Sequence, residues 1–542
     1  MNRTIPIIMI IIILLFWWLQ PGWSCTSILV GRDASKKGVP IISYSCDGEF
    51  HPHIRIIPAA DYSPGELAEI RGWRKVLGKI PQVSHTYKVV GLMNEHQLSL
   101  GETTFGGREE LINPDAIFHY YPLMLITLQR ARTAREAIKV MTDLVEQYGY
   151  RSEGESISIA DKKETWLLEI VGTGPGCKGA VWVARRLPDG MISATANMSR
   201  IHTVPLNDHQ NCLYSKNVID FAIQKGYYKP EYGKPFSFSR AYNPPTEEQI
   251  RYSDRRIWSI FRRAAPSRHF SPEYSYGRGK GRPYPLWIKP DKKLDVRDVI
   301  GLHRDHYEGT EFDMTRDVVS GPFGSPDRWR PLKWELGHNK YVWERPIATQ
   351  QAAFVYVSEP CPHLPEELGG ILWYGIDNPY TNFFIPLYTS ITRLPESYTT
   401  GSLSGYTRES AWWTVNFVAN FANLRYSYMI KDIQSVQSEI EDMAFGSQEA
   451  IESAALQLSQ SKGSGFAIAF LNKYCIDNAE MNVRRWQKLG DYLITKYNDG
   501  YIQKKNHRSQ EVGYPKSWLK KEVEKNGKKR RITSEKTIDR EL

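Results

Sequence analysis

The pattern of apolar and polar positions predicts a chain that mixes strands and helices. Short apolar or alternating segments bounded by turn residues are typical of strands. They fall at 26–31, 39–45, 54–57, 156–160, 165–171, 180–185, 191–196, 352–358 and 370–375, with a hairpin from 87–93 to 97–100. Segments 117–129 and 133–147 have helical periodicity. Helices placed between two sets of antiparallel strands favour a layered α+β sandwich with helices outside.

The remaining regions differ in composition. Residues 230–331 are rich in Pro and Tyr and are expected to be mostly loop, whereas 409–497 contains long stretches without Gly or Pro and is expected to be helical. We therefore expect a large α+β domain over 25–400, a helical C-terminal region over 401–503 and a basic charged tail over 504–542. A composition of 41% hydrophobic and 24% charged residues excludes wholesale disorder.

The N-terminus has the features of a targeting segment. An uninterrupted apolar run at 7–19 follows a short basic start, and it is too short for a membrane-spanning helix of about 20 residues. Gly22 and Ser24 are small residues at the positions before Cys25 that signal peptidase requires. Residues 1–24 are therefore expected to be a signal peptide. The mature chain would begin at Cys25 and be secreted or periplasmic, with no stable membrane anchor.

A cysteine directly after a signal peptide has three interpretations. It can be a lipidated anchor, although Trp23 fits a lipoprotein site badly. It can be an N-terminal nucleophile, because cleavage gives Cys25 both a thiol and a free α-amine, whose pKa of about 7.7–8.0 suits a base. It can also be a bystander cysteine without a role.

The net charge of +10 is concentrated near the C-terminus. From Lys504 onward there are thirteen Lys and Arg against six Asp and Glu, which leaves the body of the chain nearly balanced. A nucleic-acid-binding protein is expected to be basic on its folded body, so nucleic-acid partners are not expected. The run 528–531 is a solvated tail or a contact for an anionic surface.

Metal and disulfide patterns are weak. Neither the His51 and His53 pair nor the group of His303, His306 and Glu308 has the spacing of a known zinc motif, so no metal or cofactor is expected. Five cysteines remain besides Cys25, enough for up to two disulfides in an exported protein, but the sequence does not indicate the pairing. They are Cys46, Cys177, Cys212, Cys361 and Cys475.

Seven blocks together carry a resemblance to a known family. They are 25–31 (CTSILVG), 91–96 (GLMNEH), 101–107 (GETTFGG), 180–185 (AVWVAR), 196–200 (ANMSR), 253–258 (SDRRIW) and 320–329 (SGPFGSPDRW). In this order behind a cleavable cysteine they resemble the cysteine dipeptidases of family C69, which are N-terminal-nucleophile hydrolases distantly similar to bile-salt hydrolases and penicillin V acylases. The resemblance implies an αββα sandwich for the catalytic domain, and hydrolysis of short peptides.

The resemblance also implies catalytic roles. Cys25 would attack the amide carbonyl and form a thioester that water hydrolyses, with its own α-amine carrying the proton. Asp47 is the expected acidic partner, unless it only forms the turn before Gly48. Asn197 resembles the oxyanion-stabilising Asn of the acylases, although it also begins a glycosylation sequon and ends a predicted strand. The acylases have an Arg three residues before the Asp, and Tyr44 occupies that position here.

Substrate-binding candidates follow from the same blocks. Thr104 aligns near the second oxyanion donor of the acylases, so the hydroxyl of Thr103 or Thr104, or backbone N–H groups, would replace it. Glu102 could bind the free amine of a dipeptide or be a solvated strand residue. Arg255 or Arg256 could take the substrate carboxylate as a bidentate pair, and the sequence does not choose between them.

Three functional hypotheses result. The first is an exported cysteine dipeptidase that acts on small peptides, and the second is an acyl-amide hydrolase of the penicillin V acylase or bile-salt hydrolase type. The third is a lipidated, non-catalytic binding protein.

Overall fold

A computed structural model describes residues 25–48, 50–72, 75–233, 235–504 and 509–531. The predicted signal peptide, residues 1–24, lies outside this part of the chain. Two large antiparallel sheets of seven and eight strands are accompanied by helices, so the α+β prediction is confirmed.

The first sheet contains the strand that follows Cys25. Its strands are, in order across the sheet, Trp287–Ile288, Ile192–Thr195, Thr26–Val30, Ile41–Asp47, Ala352–Glu359, Ile371–Ile376 and Phe384–Tyr388. The strand Thr26–Val30 pairs on both sides and is entirely buried, which fixes the position of the residue before it. The sequence pattern misses Phe384–Tyr388 because of Pro386, which lacks an N–H group and is tolerated on this edge strand.

The second sheet contributes residues that face Cys25 from the other side. Its strands are, in order, Cys212–Tyr214, Val181–Arg186, Thr165–Val171, Gly154–Ala160, Ser99–Phe105, Met93–Asn94, Val89–Val90 and Ile56–Ile57. Glu102 pairs with Ile157 and Thr104 pairs with Glu155. Glu102 and Glu155 are therefore diagonal neighbours on one face of the sheet.

The two sheets contact each other closely. The hydroxyls of Ser99 and Ser358 lie 2.9 Å apart across the interface. Gly101 lies at a close approach of the two sheets, because a Cβ there would lie 2.9 Å from the Cβ of Tyr44. A side chain at position 101 would thus push the sheets apart beside the site.

Helices cover the other side of the first sheet. Successive strand residues point to opposite faces: Tyr44 donates to Glu102 of the second sheet, whereas the hydroxyl of Ser43 lies 2.7 Å from Nε2 of His303. His303 ends the helix Val296–His303, and the helix Arg255–Ala264 contacts the strand Ile192–Thr195.

Two helices contact the second sheet. Tyr120–Leu128 lies against the strand Ser99–Phe105, and Ala134–Tyr148 lies against the strands Gly154–Ala160 and Thr165–Val171. The predicted apolar face of the second helix is buried, as expected from its periodicity; it comprises Ala134, Ala137, Ile138, Met141 and Val145.

The C-terminal helices are Ala411–Ala422, Tyr426–Lys462 and Ser464–Lys496, which confirms the helical prediction for 409–497. They pack on the last strands of the first sheet. Gln437 donates a hydrogen bond to the carbonyl of Asn382 at 2.5 Å. Glu441 accepts hydrogen bonds from both terminal nitrogens of Arg304. Among the described residues, none of the helices is both long and apolar enough to cross a membrane.

Smaller elements complete the fold. Four two-stranded sheets pair Ala60–Asp61 with His85–Thr86, Leu67–Arg71 with Val76–Pro81, Lys333–Leu336 with Asn339–Val342, and Tyr501–Gln503 with Ser509–Glu511. Further helices of five residues or more are Asp220–Gln224, Phe238–Tyr242, the π-helical Ile250–Asp254 and Lys516–Arg530.

One region differs from the sequence prediction, and the structure adds a helix in another. Residues 230–331, expected to be mostly loop, contain the helices Arg255–Ala264 and Val296–His303. The first was missed because its buried face includes two arginines, which hides the apolar periodicity. The tail contains the helix Lys516–Arg530, none of whose side chains is buried.

Candidate active site

Cys25 lies at the junction of the two sheets. It precedes the strand Thr26–Val30 and is fully buried, with its Sγ 3.4 Å from Oε1 of Glu102 and 3.7 Å from the hydroxyl of Tyr44. Burial, followed by contact with Cys46 and the charge of Glu102, raises the pKa of the Cys25 thiol well above its ordinary value. With its nitrogen still in a peptide bond, Cys25 is therefore a neutral thiol.

A second thiol faces Cys25 across the first sheet. Thr26 pairs with Ser45, so the antiparallel register places Cys25 opposite Cys46. The two sulfurs and one carboxylate oxygen of Glu102 all lie within 4.8 Å of one another. All six cysteines lie in the described part of the chain and are free thiols, so neither of the up to two disulfides that the sequence allows is present.

Glu102 and Glu155 form a buried pair of carboxyl groups. Tyr44 donates to Oε1 of Glu102, and the hydroxyl of Thr104 donates to Oε2 of Glu155 at 3.1 Å. Burial first, and then Glu102, raise the pKa of Glu155 well above its ordinary value. The other oxygen of each group meets no hydrogen-bond donor in the described part of the chain. Two buried carboxyls this close need a shared proton or a cation between them.

Arg256 connects the residues around Cys25. Its Nη1 donates to the carbonyl of Cys25 at 2.8 Å and to Oγ1 of Thr26 at 2.9 Å, and its Nη2 donates to Oδ1 of Asn197 at 2.8 Å and to the carbonyl of Ala196 at 3.1 Å. Nε bonds to the carbonyl of Tyr252 at 2.9 Å. These bonds use all five donors of the guanidinium. Its burial lowers the pKa of Arg256 to about 10.

The guanidinium of Arg256 bridges Asn197 and the carbonyl of Cys25. Its backbone has a φ of 62°, a left-handed conformation that Asn tolerates better than most residues. Its Nδ2 donates to the carbonyl of Thr104 at 2.8 Å. This bond uses one of the two Nδ2 hydrogens, and a glycan on that nitrogen would have to replace the other.

Asp47 is paired with an arginine that is remote in the sequence. Nη2 of Arg345 lies 2.5 Å from Oδ2 of Asp47, and the two side chains are 2% and 3% exposed. Burial raises the pKa of Asp47 from its ordinary value, and the positive charges of Arg345 and Arg256 oppose that rise. The carboxylate is near enough to Cys25 to raise the pKa of its thiol. The prediction that Asp47 accompanies Cys25 thus fits the geometry.

Arg255 points elsewhere. Its Nη1 bonds to Glu344 at 2.6 Å, its Nη2 bonds to the carbonyl of Ser275 at 3.1 Å, and its guanidinium carbon lies 3.8 Å from the ring centre of Phe312. Arg256 has no unused donor, so it does not present the two parallel N–H groups that the predicted carboxylate contact requires, whereas Arg255 faces Glu344 and Phe312.

The threonines lie on the same strand as Glu102. Thr103 is fully buried, and its hydroxyl has no hydrogen-bond partner in the described ranges. Thr104 bonds to Glu155 through its hydroxyl and to Asn197 through its carbonyl. Thr104 therefore connects the carboxyl pair to Asn197.

The sequence does not identify four residues of this arrangement as members of the site. The sequence places Tyr44 at the position of the acylases' Arg and Cys46 among the five other cysteines, but it gives neither residue a role in the site. Glu155 lies just before the predicted strand 156–160, and its partner Thr104 lies beyond the predicted strand 97–100, so pairing these two strands alone does not reach it. Arg345 has no local signal, since it lies 298 residues from Asp47 along the chain.

The histidine group is a buried ion network. His306 lies 3.1 Å from both Glu308 and Asp327. Burial opposes its charged form, but Asp327 and Glu308 raise the pKa of His306 to about 10. Burial, in contrast, lowers the pKa of His303 to about 3. Both histidines are fully buried, so they lie in the core of the fold.

Comparison with known proteins identifies the family of the chain. The model of Peptidase family C69 matches residues 57–439. A probable dipeptidase of Salmonella dublin is 26% identical over 385 residues, which cover 67% of this chain and 81% of the relative. Probable dipeptidase B of Streptococcus pyogenes serotype M1 is 24% identical over 442 residues, or 77% of this chain and 82% of the relative. The chain therefore belongs to peptidase family C69 and is a peptide hydrolase.

Proposed function

We propose that this protein is an exported cysteine dipeptidase of the N-terminal-nucleophile type, with Cys25 as nucleophile. The observation that carries the proposal is the position of Cys25. It precedes a buried strand, touches the Glu102 and Tyr44 side chains, and has its carbonyl held by Arg256. The two facing sheets with helices outside are compatible with the αββα sandwich. Secretion or release to the periplasm follows from the signal peptide proposed for 1–24.

Removal of the leader would change the chemistry of Cys25. In the unprocessed chain the nitrogen is an amide and the buried thiol is neutral. Cleavage creates an α-amine whose pKa is about 7.7–8.0. The amine can take the thiol proton, and the resulting ammonium stabilises the thiolate. Asp47, held by Arg345, would orient this ammonium.

The reaction then proceeds through a thioester. The thiolate of Cys25 attacks the peptide carbonyl, and a carbon–sulfur bond forms as the carbonyl oxygen becomes an oxyanion. Asn197 is the proposed donor to that oxyanion, together with a hydroxyl or backbone N–H from Thr103 or Thr104. The α-ammonium passes its proton to the leaving amine as the carbon–nitrogen bond breaks. Water attacks the thioester, releases the acid and restores the thiol.

The carboxyl pair gives a reason for preferring dipeptides to acyl-amides. A free substrate amine is a cation that Glu102 and Glu155 would bind through the two oxygens that lack a donor. An N-acyl substrate has no such charge and would leave those oxygens unsatisfied. Hydrogen bonds to charged groups are each worth about 1.5–3 kcal/mol, or roughly 10–150-fold in binding.

The test is a substrate panel with a chain that starts at Cys25. Dipeptides with free amines, their N-acetyl counterparts, N-acyl amino acids and bile-salt conjugates would be compared by kcat/KM. We expect hydrolysis of the free dipeptides, a loss on acetylation of at least roughly 10–150-fold, the value of one such bond, and no turnover in Cys25→Ala. Cys177→Ala is the matched control, since Cys177 is an exposed thiol.

Two results would overturn the proposal. Turnover by Cys25→Ala equal to that of the unmodified enzyme would show that Cys25 is not the nucleophile. Preferential cleavage of N-acyl substrates would favour the acyl-amide hydrolase instead. A Glu155→Gln variant, compared with the exposed Glu153→Gln, distinguishes amine binding from a general change of surface charge. Only Glu155→Gln should reduce the preference for free amines.

A further inference from the structure

The thiols of Cys25 and Cys46 and the carboxylate of Glu102 form a cluster of three buried donor atoms, all within 4.8 Å of one another. We propose that this cluster is a binding site for a thiophilic divalent cation, zinc above all, and that an occupied site switches the enzyme off. The binding site stands on its own geometry, whereas the inhibition rests on the function proposed for Cys25.

The spacing of the donors suits a tetrahedral ion. With Zn–S bonds of about 2.3 Å and Zn–O bonds of about 2.0–2.2 Å, tetrahedral angles separate two sulfurs by about 3.8 Å and a sulfur from an oxygen by about 3.5 Å. Sγ of Cys25 lies 3.4 Å from Oε1 of Glu102. An ion therefore fits between these donors with small rotations of the side chains.

The fold brings the two thiols together. Because Thr26 pairs with Ser45, Cys25 and Cys46 are directly opposite on neighbouring strands of the first sheet. Glu102 comes from the other sheet, where Gly101 permits the close approach to Tyr44. The cluster is thus part of the rigid junction between the sheets, which holds donors in place better than a loop does.

Processing at Cys25 would complete the coordination. The α-amine and thiol of one N-terminal cysteine close a five-membered ring with a metal ion. With Cys46 and Glu102 they make four donors, as a tetrahedral zinc site requires. Binding would release the two thiol protons, because sulfur coordinates zinc as a thiolate. In the described part of the chain no other group of three His, Cys, Asp or Glu side chains has donors this close.

Zinc at this site would block each proposed step of catalysis. It would engage the sulfur that attacks the substrate, the amine that carries the proton and the carboxylate that binds the substrate ammonium. Inhibition should therefore be competitive with a dipeptide and reversed by a chelator.

Metal binding can be measured without any substrate. Cobalt(II) would be titrated into the chain that begins at Cys25 and followed by thiolate-to-metal charge-transfer absorption, and zinc would then be added to displace it. We expect one cobalt ion per chain with two thiolate ligands. Loss of an outer-shell partner already costs about 10–100-fold in metal affinity, so Cys46→Ser should weaken zinc binding by at least about 100-fold.

The matched control is Cys361→Ser. Cys361 is also a buried thiol beside a carboxylate, 3.8 Å from Glu452, but it has no second cysteine opposite. Its replacement should leave zinc affinity unchanged. Thermal melting would establish that both variants fold. If Cys46→Ser does not fold, the unmodified chain is alkylated with and without zinc, and mass spectrometry should find Cys25 and Cys46 protected together.

The outcomes separate the two proposals. A thiolate–cobalt band that disappears in Cys46→Ser supports the site even if no peptide is hydrolysed. If peptides are hydrolysed, the zinc inhibition constant of each variant, relative to its own uninhibited rate, tests the switch. Equal zinc affinity in Cys46→Ser and the unmodified chain, or alkylation of Cys25 and Cys46 in saturating zinc, would overturn the metal site.

Discussion

The buried pair of Asp47 and Arg345 offers the sharpest test of the electrostatics of the site. Its side chains are 3% and 2% exposed, and the nitrogen–oxygen distance is 2.5 Å. Arg345→Met keeps most of the side-chain volume but leaves Asp47 in the core without its nearest cation. Removing one partner of a buried pair costs about 3–5 kcal/mol, and we expect a loss of unfolding free energy of that size at pH 8.

The pH dependence distinguishes this mechanism from a packing defect. Burial already raises the pKa of Asp47 above its value in the unfolded chain, about 3.9, and loss of Arg345 raises it further. A carboxyl with a raised folded pKa destabilises the fold as pH rises from its unfolded to its folded pKa. The Arg345→Met variant should therefore recover stability as pH falls from 8 to 5, by up to about 1.4 kcal/mol per pH unit.

Urea unfolding at several pH values measures both effects. Arg282→Met is the matched control, because Arg282 is exposed; its unfolding free energy should change by no more than about 0.5 kcal/mol. The double variant Asp47→Asn with Arg345→Met should recover most of the lost stability yet remain inactive. A loss below about 1 kcal/mol in Arg345→Met, or one that is independent of pH, would refute the reasoning.

Three further outcomes are expected. Asn197→Gly, which accepts the left-handed backbone, should fold normally but lose about 100–1000-fold in kcat because the oxyanion donor is gone; equal single-turnover rates would contradict that role. One uncleaved residue before Cys25 should abolish dipeptide hydrolysis in initial-rate assays, since the α-amine becomes an amide, and full activity would mean another base. His306→Gln should cost about 3–5 kcal/mol in urea unfolding near pH 6. The stability from the raised pKa of His306 is fully present below pH 6.5 and lost as pH rises through about 10, so a loss of the same size at pH 10 would contradict the assignment.

Local signals explain what the sequence could predict. The strand Thr26–Val30 and the helix Ala134–Tyr148 were recognisable because each has a continuous or periodic apolar face. Glu102 is a candidate site residue because it lies in a family block, but its contact with Cys25 is visible only in the structure. By contrast, the edge strand Phe384–Tyr388 contains a proline, and the helix Arg255–Ala264 buries charged residues, so each violates the pattern that would identify it.

Long-range contacts explain what the sequence could not predict. Asp47 and Arg345 are in contact because the chain returns to the first sheet after 298 residues. No local sequence pattern predicts that return. Cys46 is conspicuous only once the register of its strand against Thr26–Val30 is known. The electrostatic partners of a site are thus less predictable than the strand on which it is built.

All five hydrogen-bond donors of Arg256 are used, and this affects how substitutions near Cys25 combine. One planar group fixes both the backbone of Cys25, the proposed nucleophile, and the side chain of Asn197, the proposed oxyanion donor. Lysine, with three donors on a single nitrogen, has no geometry that satisfies all five acceptors. The effects of substitutions at Asn197 and at Thr26 on rate should therefore depend on each other, because each frees a donor that reorients the shared guanidinium. Position 256 therefore couples the two residues that the proposed mechanism needs most, Cys25 and Asn197.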